Sequence, residues 1–176
     1  RMSGCDMPVV INSGSGNQGI TVTVPVVQYA RGLGASDAQL YRAMVISNLV
    51  AVHLKTGIGP LSAFCGAVSA ATGSGAAISY LCGRSRRQIK MTISNTLGTI
   101  SGMVCDGAKA SCAAKIASAV ETAIVSGKMA ALNDYFHGDE GILGENIEGT
   151  VRNIGRLGRK GMAETDIEIL KMMIGQ

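Results

Sequence analysis

The chain has 176 residues, of which 47% are apolar and only 3% aromatic, and its formal net charge is +4. This length fits one domain with a sizeable core. Because that core must be built from small and aliphatic side chains, the composition favours closely packed helices over an aromatic-filled β-sandwich.

The first predicted feature is a polar loop, NSGSGNQG at residues 12–19, which is followed by the apolar run ITVTVPVV at residues 20–27. The β-branched residues of this run indicate a short strand that changes to helical spacing afterwards. The loop has two interpretations: a flexible connection, or a backbone nest at a helix N-terminus that can hold a carboxylate or phosphate. It matches neither the P-loop nor the dinucleotide pattern, so a nucleotide is not expected.

Two long helices are predicted next, at residues 36–57 and 60–83, with Cys65 in the middle of the second. Residues 56–83 carry no charge, which raises the alternative of a membrane span. The Gly59-Pro60 break and the Gly, Ser and Thr content favour a buried central helix instead. A small-residue membrane or assembly protein is kept as a further interpretation.

The remaining sequence predicts four more helical segments, with a loop at 133–145 between the second and third of them. The alternation of apolar and polar residues that is typical of strands is not sustained anywhere, apart from a few residues near 20–26. These helical segments cover residues 85–105, 109–132, 146–161 and 163–175. The predicted fold class is therefore all-α: a compact helical domain, rich in small residues, with a Gly/Ser/Asn loop at the front.

The basic clusters at 84–90 and 152–160 lack interleaved aromatic residues and any nucleic-acid motif. We interpret them as solvated faces or subunit contacts and expect no nucleic-acid partner. No signal-peptide pattern is visible in the first residues, so the expected location is cytoplasmic, with no membrane partner.

Cys105 and Cys112 lie seven positions apart around an Asp106-Gly107 pair. On one unbroken helix they would be about 10.5 Å apart along the axis, too far for a shared metal or a disulfide. Asp-Gly is a strong helix breaker, so the chain can fold back there. Cys105 would then end one helix and Cys112 would lie near the start of the next, where the helix N-terminus favours the thiolate. The spacing permits ligation without requiring it.

Cys65 taken alone is a small hydrophobic side chain. Together with Cys105 and Cys112 it makes three thiols, whereas structural zinc and cubane iron–sulfur clusters normally take four ligands. Three thiolates would leave one iron open as a Lewis acid. Cys82 could supply a fourth ligand, but it is more simply interpreted as a packed thiol, as is Cys5.

Four segments carry a family resemblance: MPVVINSGSGNQGI, FCGAVSAATG, VCDGAKASCAAKIASAV and IEGTVRNIGRLGRKGMAETDIEILKMM. In this order they resemble the C-terminal part of the L-serine dehydratase α-chain family, and most closely its L-cysteine desulfidase-like branch. The resemblance covers essentially the whole chain, residues 1–176, as a single domain. Its most specific element is the set Cys65, Cys105 and Cys112, with intervals of 40 and 7. The resemblance implies that these three cysteines hold a catalytic [4Fe–4S] cluster with one open iron, in a helical fold.

The chemistry that this resemblance implies is α,β-elimination of L-serine or L-cysteine without pyridoxal phosphate. The open iron binds the β-hydroxyl or β-thiol, a base removes the α-proton, and the products are pyruvate and ammonia, with sulfide from cysteine. The resemblance assigns part of the polar loop to the substrate carboxylate or its pocket, namely Ser13, Gly14, Ser15, Gly16 and Asn17.

Members of that family carry a longer N-terminal portion that contributes substrate contacts and the base, whereas this chain begins inside the family pattern. We therefore expect an incomplete enzyme or one chain of a split enzyme, with its base outside the chain. The expected partners are a small amino-acid substrate and either a second copy of the chain or an N-terminal portion. The alternative is a catalytically incomplete family fragment that serves as a binding or regulatory module.

Overall fold

The computed structural model describes residues 1–176 and contains seven α-helices, with 66% of the residues helical and no strand. The helices are α1 (Gly16–Gly32), α2 (Asp37–Ile58), α3 (Gly66–Leu81), α4 (Arg86–Ile100), α5 (Cys112–Ala131), α6 (Ile147–Arg156) and α7 (Ala163–Met173). A π-helical turn, Leu157–Gly161, follows α6 directly. The all-α prediction is confirmed.

The uncharged helix α3 lies at the centre of the molecule. It packs against α1, α2, α4 and α5, and all its residues from 67 to 79 are buried. Its glycines allow the neighbouring helices to approach closely. A Cβ atom on Gly73 would lie 2.3 Å from the carbonyl oxygen of Ser47 in α2. A Cβ atom on Gly75 would lie 2.7 Å from the Cβ atom of Ala123 in α5. None of the helices combines the length and the hydropathy that crossing a bilayer requires.

The strand predicted at residues 20–27 is wrong, because these residues lie within α1. The buried side chain of Val22 packs with Ala51 of α2 and Ala70 of α3, so this segment is part of the helical core. Burial against two helices outweighs the β preference of the branched residues, since β propensity largely reflects packing context.

The helix predicted at residues 60–83 begins later than expected, so the placement of Cys65 in mid-helix is wrong. Cys65 is the N-cap residue of α3, and the residues before it are not helical. The helix before Cys105, α4, likewise ends earlier than expected, at Ile100. In the two segments that were expected to be helical, Phe64 and Val104 form an isolated antiparallel β-bridge.

Candidate functional site

A cavity of about 320 Å³ opens where four parts of the chain converge. Its walls come from residues 13–18 at the start of α1, from residues 60–67, from residues 105–116, and from Lys55 near the end of α2. All three cysteines of the predicted ligand set line it. The cavity is therefore the place where the sequence-predicted residues meet.

Cys65 and Cys105 are brought together by the backbone of the β-bridge. The N–H of Cys65 donates to the carbonyl oxygen of Met103 at 3.1 Å, and the N–H of Cys105 donates to that of Ala63 at 2.6 Å. Because successive side chains of extended backbone point to opposite faces, this pairing places both cysteines on the same face. Two residues that are 40 positions apart in the sequence thus become neighbours.

The Cys65 and Cys105 thiols lie close enough for each to shift the pKa of the other. Their interaction, together with burial, raises the pKa of Cys65, and the same interaction lowers the pKa of Cys105. The positive charge of Lys115 also favours the thiolate at both positions. Cys105 is thus the thiol of the pair that carries negative charge most readily.

Cys112 is the first residue of α5, as the sequence predicts, and the turn before it includes Gly107 with a φ of +89°. Its thiol donates to the carbonyl oxygen of Gly107 at 3.6 Å, and the N–H of Lys109 donates to its sulfur at 3.5 Å. Cys112 therefore lines the cavity through contacts of its own, separate from the Cys65–Cys105 pair.

No three His, Cys, Asp or Glu side chains are grouped closely enough to hold a metal ion in this structure. The chemistry of the donor set nevertheless fits a thiolate-bound cluster, since three thiols and two lysines line one cavity. Cys65, Cys105 and Cys112 are the residues that would hold it.

Lys115 is tied to the turn that separates the last two cysteines. Its ammonium donates to the Asp106 carboxylate at 2.5 Å and to the carbonyl oxygen of Val104 at 3.1 Å, and Lys109 lies 3.3 Å from the same carboxylate. The hydrogen bond from Lys115 lowers the pKa of Asp106 to about 2. These contacts fasten the start of α5 to the β-bridge.

The polar loop ends at the N-terminus of α1, which agrees with the nest interpretation and shortens the loop to residues 12–15. Ser13 and Gly14 both have positive φ, at +50° and +85°, and the Ser15 hydroxyl caps the helix. Four of the five predicted substrate residues line the cavity: Ser13, Gly14, Ser15 and Asn17. Gly16 is instead covered by the guanidinium of Arg1, which lies 2.6 Å from where its Cβ atom would be.

Two polar residues of the site escaped the sequence reasoning, namely Lys55 and Gln18. Both line the cavity and are buried, with exposed fractions of 8% and 6%. For Lys55 the signal was present, because it lies between Ala51 and Ile58 on the buried face of α2, which is apolar apart from Ser47. A lysine on such a face is a reason to suspect function.

The other two cysteines lie elsewhere. Cys82 is the C-cap residue of α3, so the 16 residues of this helix separate it from Cys65 by about 24 Å. It cannot join a site at the other end of the helix. Cys82 and Cys5 are both exposed, so the interpretation of these two residues as packed thiols is wrong.

An all-helical domain with a thiol-lined cavity is the class of protein that this geometry defines. The chain belongs to the serine dehydratase alpha chain family, whose model matches residues 1–171. The family in general binds an iron–sulfur cluster.

Curated relatives share about half of their aligned residues with the chain. A UPF0597 protein of Desulfitobacterium hafniense is 54% identical over 176 residues, covering all of this chain and 41% of the relative. UPF0597 proteins of Lachnoclostridium phytofermentans and Treponema denticola are each 52% identical over 174 residues, covering 99% of this chain and 42% and 40% of their own length. The chain thus spans about two fifths of the relatives it matches. No solved structure matches it.

Proposed function

We propose that the chain is the cluster-binding part of an iron–sulfur lyase that eliminates the β-substituent of L-serine or L-cysteine without pyridoxal phosphate. The products are pyruvate and ammonia, together with sulfide when cysteine is the substrate. The observation that carries this proposal is the convergence of Cys65, Cys105 and Cys112 on one cavity in a chain of this family.

In the proposed site these three cysteines hold a [4Fe–4S] cluster. When bound, such a cluster supplies a Lewis-acidic iron without a protein ligand, which makes a hydroxyl or thiol easier to expel. The chain itself provides the thiolates, and the positive charge of Lys115 favours the ionised form of Cys65 and Cys105. The apolar side chains of Phe64 and Ile116 line the same cavity and limit the water in it.

The substrate carboxylate is proposed to lie near the start of α1, where Ser13, Gly14, Ser15 and Asn17 line the cavity. The first N–H groups of a helix have no partners within it, and the helix dipole favours an anion at that end. Gly16 is included in the proposed carboxylate site because it is the first residue of α1. The base that removes the α-proton is proposed to lie outside this chain.

Association is proposed as well, either with a second copy or with further chain of the kind that the longer relatives carry. One side of α2 supports this proposal with an exposed apolar stripe at Tyr41, Val45, Leu49 and Val52. A second candidate function is supported by the fact that the chain covers only 41% of the Desulfitobacterium hafniense relative. In that alternative the chain is a binding or regulatory module of the same family, without catalysis of its own.

The test is an assay for pyruvate and sulfide after anaerobic loading with iron and sulfide, using the chain alone and fused to the remaining portion of the Desulfitobacterium hafniense relative. We expect pyruvate from L-serine, and pyruvate with sulfide from L-cysteine, in at least the fused protein. Cys65→Ala should reduce turnover to background, whereas Cys82→Ala at the far end of α3 should retain it. A loaded fusion that binds these amino acids without turning them over would favour the binding module.

A further inference from the structure

Lys55 is a buried cation without a partner in the chain. Its side chain lines the cavity, with 8% of the residue exposed, and its ammonium takes part in none of the four salt bridges and in no side-chain hydrogen bond. Cys105, Cys65 and Asp166 of α7 act on it only through their charge, and none of them forms an ion pair with it. An unpaired buried charge is costly, and burial lowers the pKa of Lys55 accordingly.

Lys55 differs in this respect from the other lysine of the cavity. Lys115 is already paired with Asp106 and bonded to the carbonyl oxygen of Val104. The cavity therefore contains one cation that is already paired, Lys115, and one that is unpaired, Lys55. Only Lys55 is available to pair with an incoming anion.

Gln18 provides a second, independent sign of a missing ligand. It lines the same cavity, and its Oε1 atom is buried without a hydrogen-bond partner. Its amide is held against the first residue of α3, since a Cβ atom on Gly66 would lie 2.6 Å from the amide nitrogen and carbon. A buried acceptor without a donor is unfavourable, and a bound ligand with an N–H group would relieve that cost.

We propose that Lys55 binds the α-carboxylate of the substrate and that the Oε1 atom of Gln18 accepts a hydrogen bond from its α-ammonium group. A free cation and a free acceptor in one cavity are complementary to the two charged groups of an amino-acid zwitterion. A simple anion would satisfy Lys55 alone. This inference rests on the proposed function and assigns the substrate contacts within it, including a contact for the carboxylate beyond the polar loop.

The test compares ligands that lack one charged group each. Dissociation constants for L-serine, ethanolamine and 3-hydroxypropionate are measured on the iron-loaded chain by calorimetry. For Lys55→Met we expect L-serine to bind about tenfold more weakly or worse, while ethanolamine, which has no carboxylate, binds as it does to the parent chain. Lys55→Gln should show the same pattern, which guards against a folding defect of one variant. Lys90→Met, on the exposed surface of α4, is the matched control and should change none of the three constants.

For Gln18→Leu the pattern should be reversed: weaker L-serine binding with unchanged affinity for 3-hydroxypropionate, which lacks the amino group. Iron content is measured for every variant and should equal that of the parent chain. A Lys55→Met protein that binds L-serine normally overturns the inference, and so does one that loses iron, because Lys55 would then act on the thiolates. If the loaded parent chain and its fusion bind neither L-serine nor L-cysteine, the proposed function itself fails, and the inference fails with it.

Discussion

Cys65 and Cys105 are neighbours, yet their surroundings differ. Cys65 is only 6% exposed and is the N-cap residue of the central helix α3, whereas Cys105 is half-buried beside the turn that holds Asp106. Their interaction moves the two pKa values in opposite directions. The two thiols of the pair should therefore react at different rates.

We predict that iodoacetamide at neutral pH modifies Cys105 faster than Cys65 in the cluster-free protein. A lowered pKa means that more Cys105 is present as thiolate, which is the reactive form, while Cys65 is both protonated and shielded. Peptide mapping by mass spectrometry gives the two rates, with exposed Cys82 as the internal standard for an accessible thiol. Faster modification of Cys65 would contradict the lowered pKa of Cys105.

The sequence could predict only those parts of the candidate site whose structure depends on residue types and spacing within a short segment. The Asp106-Gly107 turn followed from local turn chemistry, and so did the position of Cys112 at a helix start. The meeting of Cys65 with Cys105 did not, because a two-residue β-bridge between distant segments leaves no periodic pattern. Lys55 was missed although its spacing from Ala51 and Ile58 places it on the buried face of α2, because only the tertiary structure shows that this end of the face opens into a cavity.

At the scale of the helices, the fold depends on how closely α3 approaches its neighbours. The Cβ position of Gly73 lies 2.3 Å from a backbone oxygen of α2, so no side chain can yield to make room there. The glycine is required by this contact between the two helices.

We predict that Gly73→Ala destabilises the domain by about 2 kcal/mol, because overpacking forces α2 and α3 apart and outweighs the better helix propensity of alanine. Gly32→Ala is the matched control, since Gly32 is also helical but a Cβ atom there meets nothing within 4 Å. The free energy of unfolding from urea titrations measures both changes. Equal stability of the two variants would argue against the close α2–α3 contact.

Most helices could be predicted from composition and local signals. Ser36 and Ser85 begin α2 and α4 with complete capping boxes, which are local features. The errors fall where tertiary contacts override such signals. Residues 20–27 are helical because Val22 and Val26 are buried against α2 and α3. Pro60 does not open α3 because Ser62 ties that segment to the carbonyl oxygen of Gly158 by a 2.6 Å hydrogen bond.

At the scale of the whole molecule, the helices arrange one cavity around residues from four distant parts of the sequence. The loop before α1 contributes polar groups and the end of α2 an ammonium, while the cap of α3 and the start of α5 each contribute a thiol. The central claim is that this cavity holds an iron–sulfur cluster on Cys65, Cys105 and Cys112.

The most direct measurement of that claim is the iron content and visible absorption of the chain after anaerobic reconstitution. We predict a brown protein with about four irons per chain, much less iron in Cys65→Ala, Cys105→Ala and Cys112→Ala, and no loss in Cys82→Ala. Aerobically prepared protein should be colourless. If all three cavity variants bind as much iron as the parent chain, the cluster is not held by these cysteines and the account is wrong.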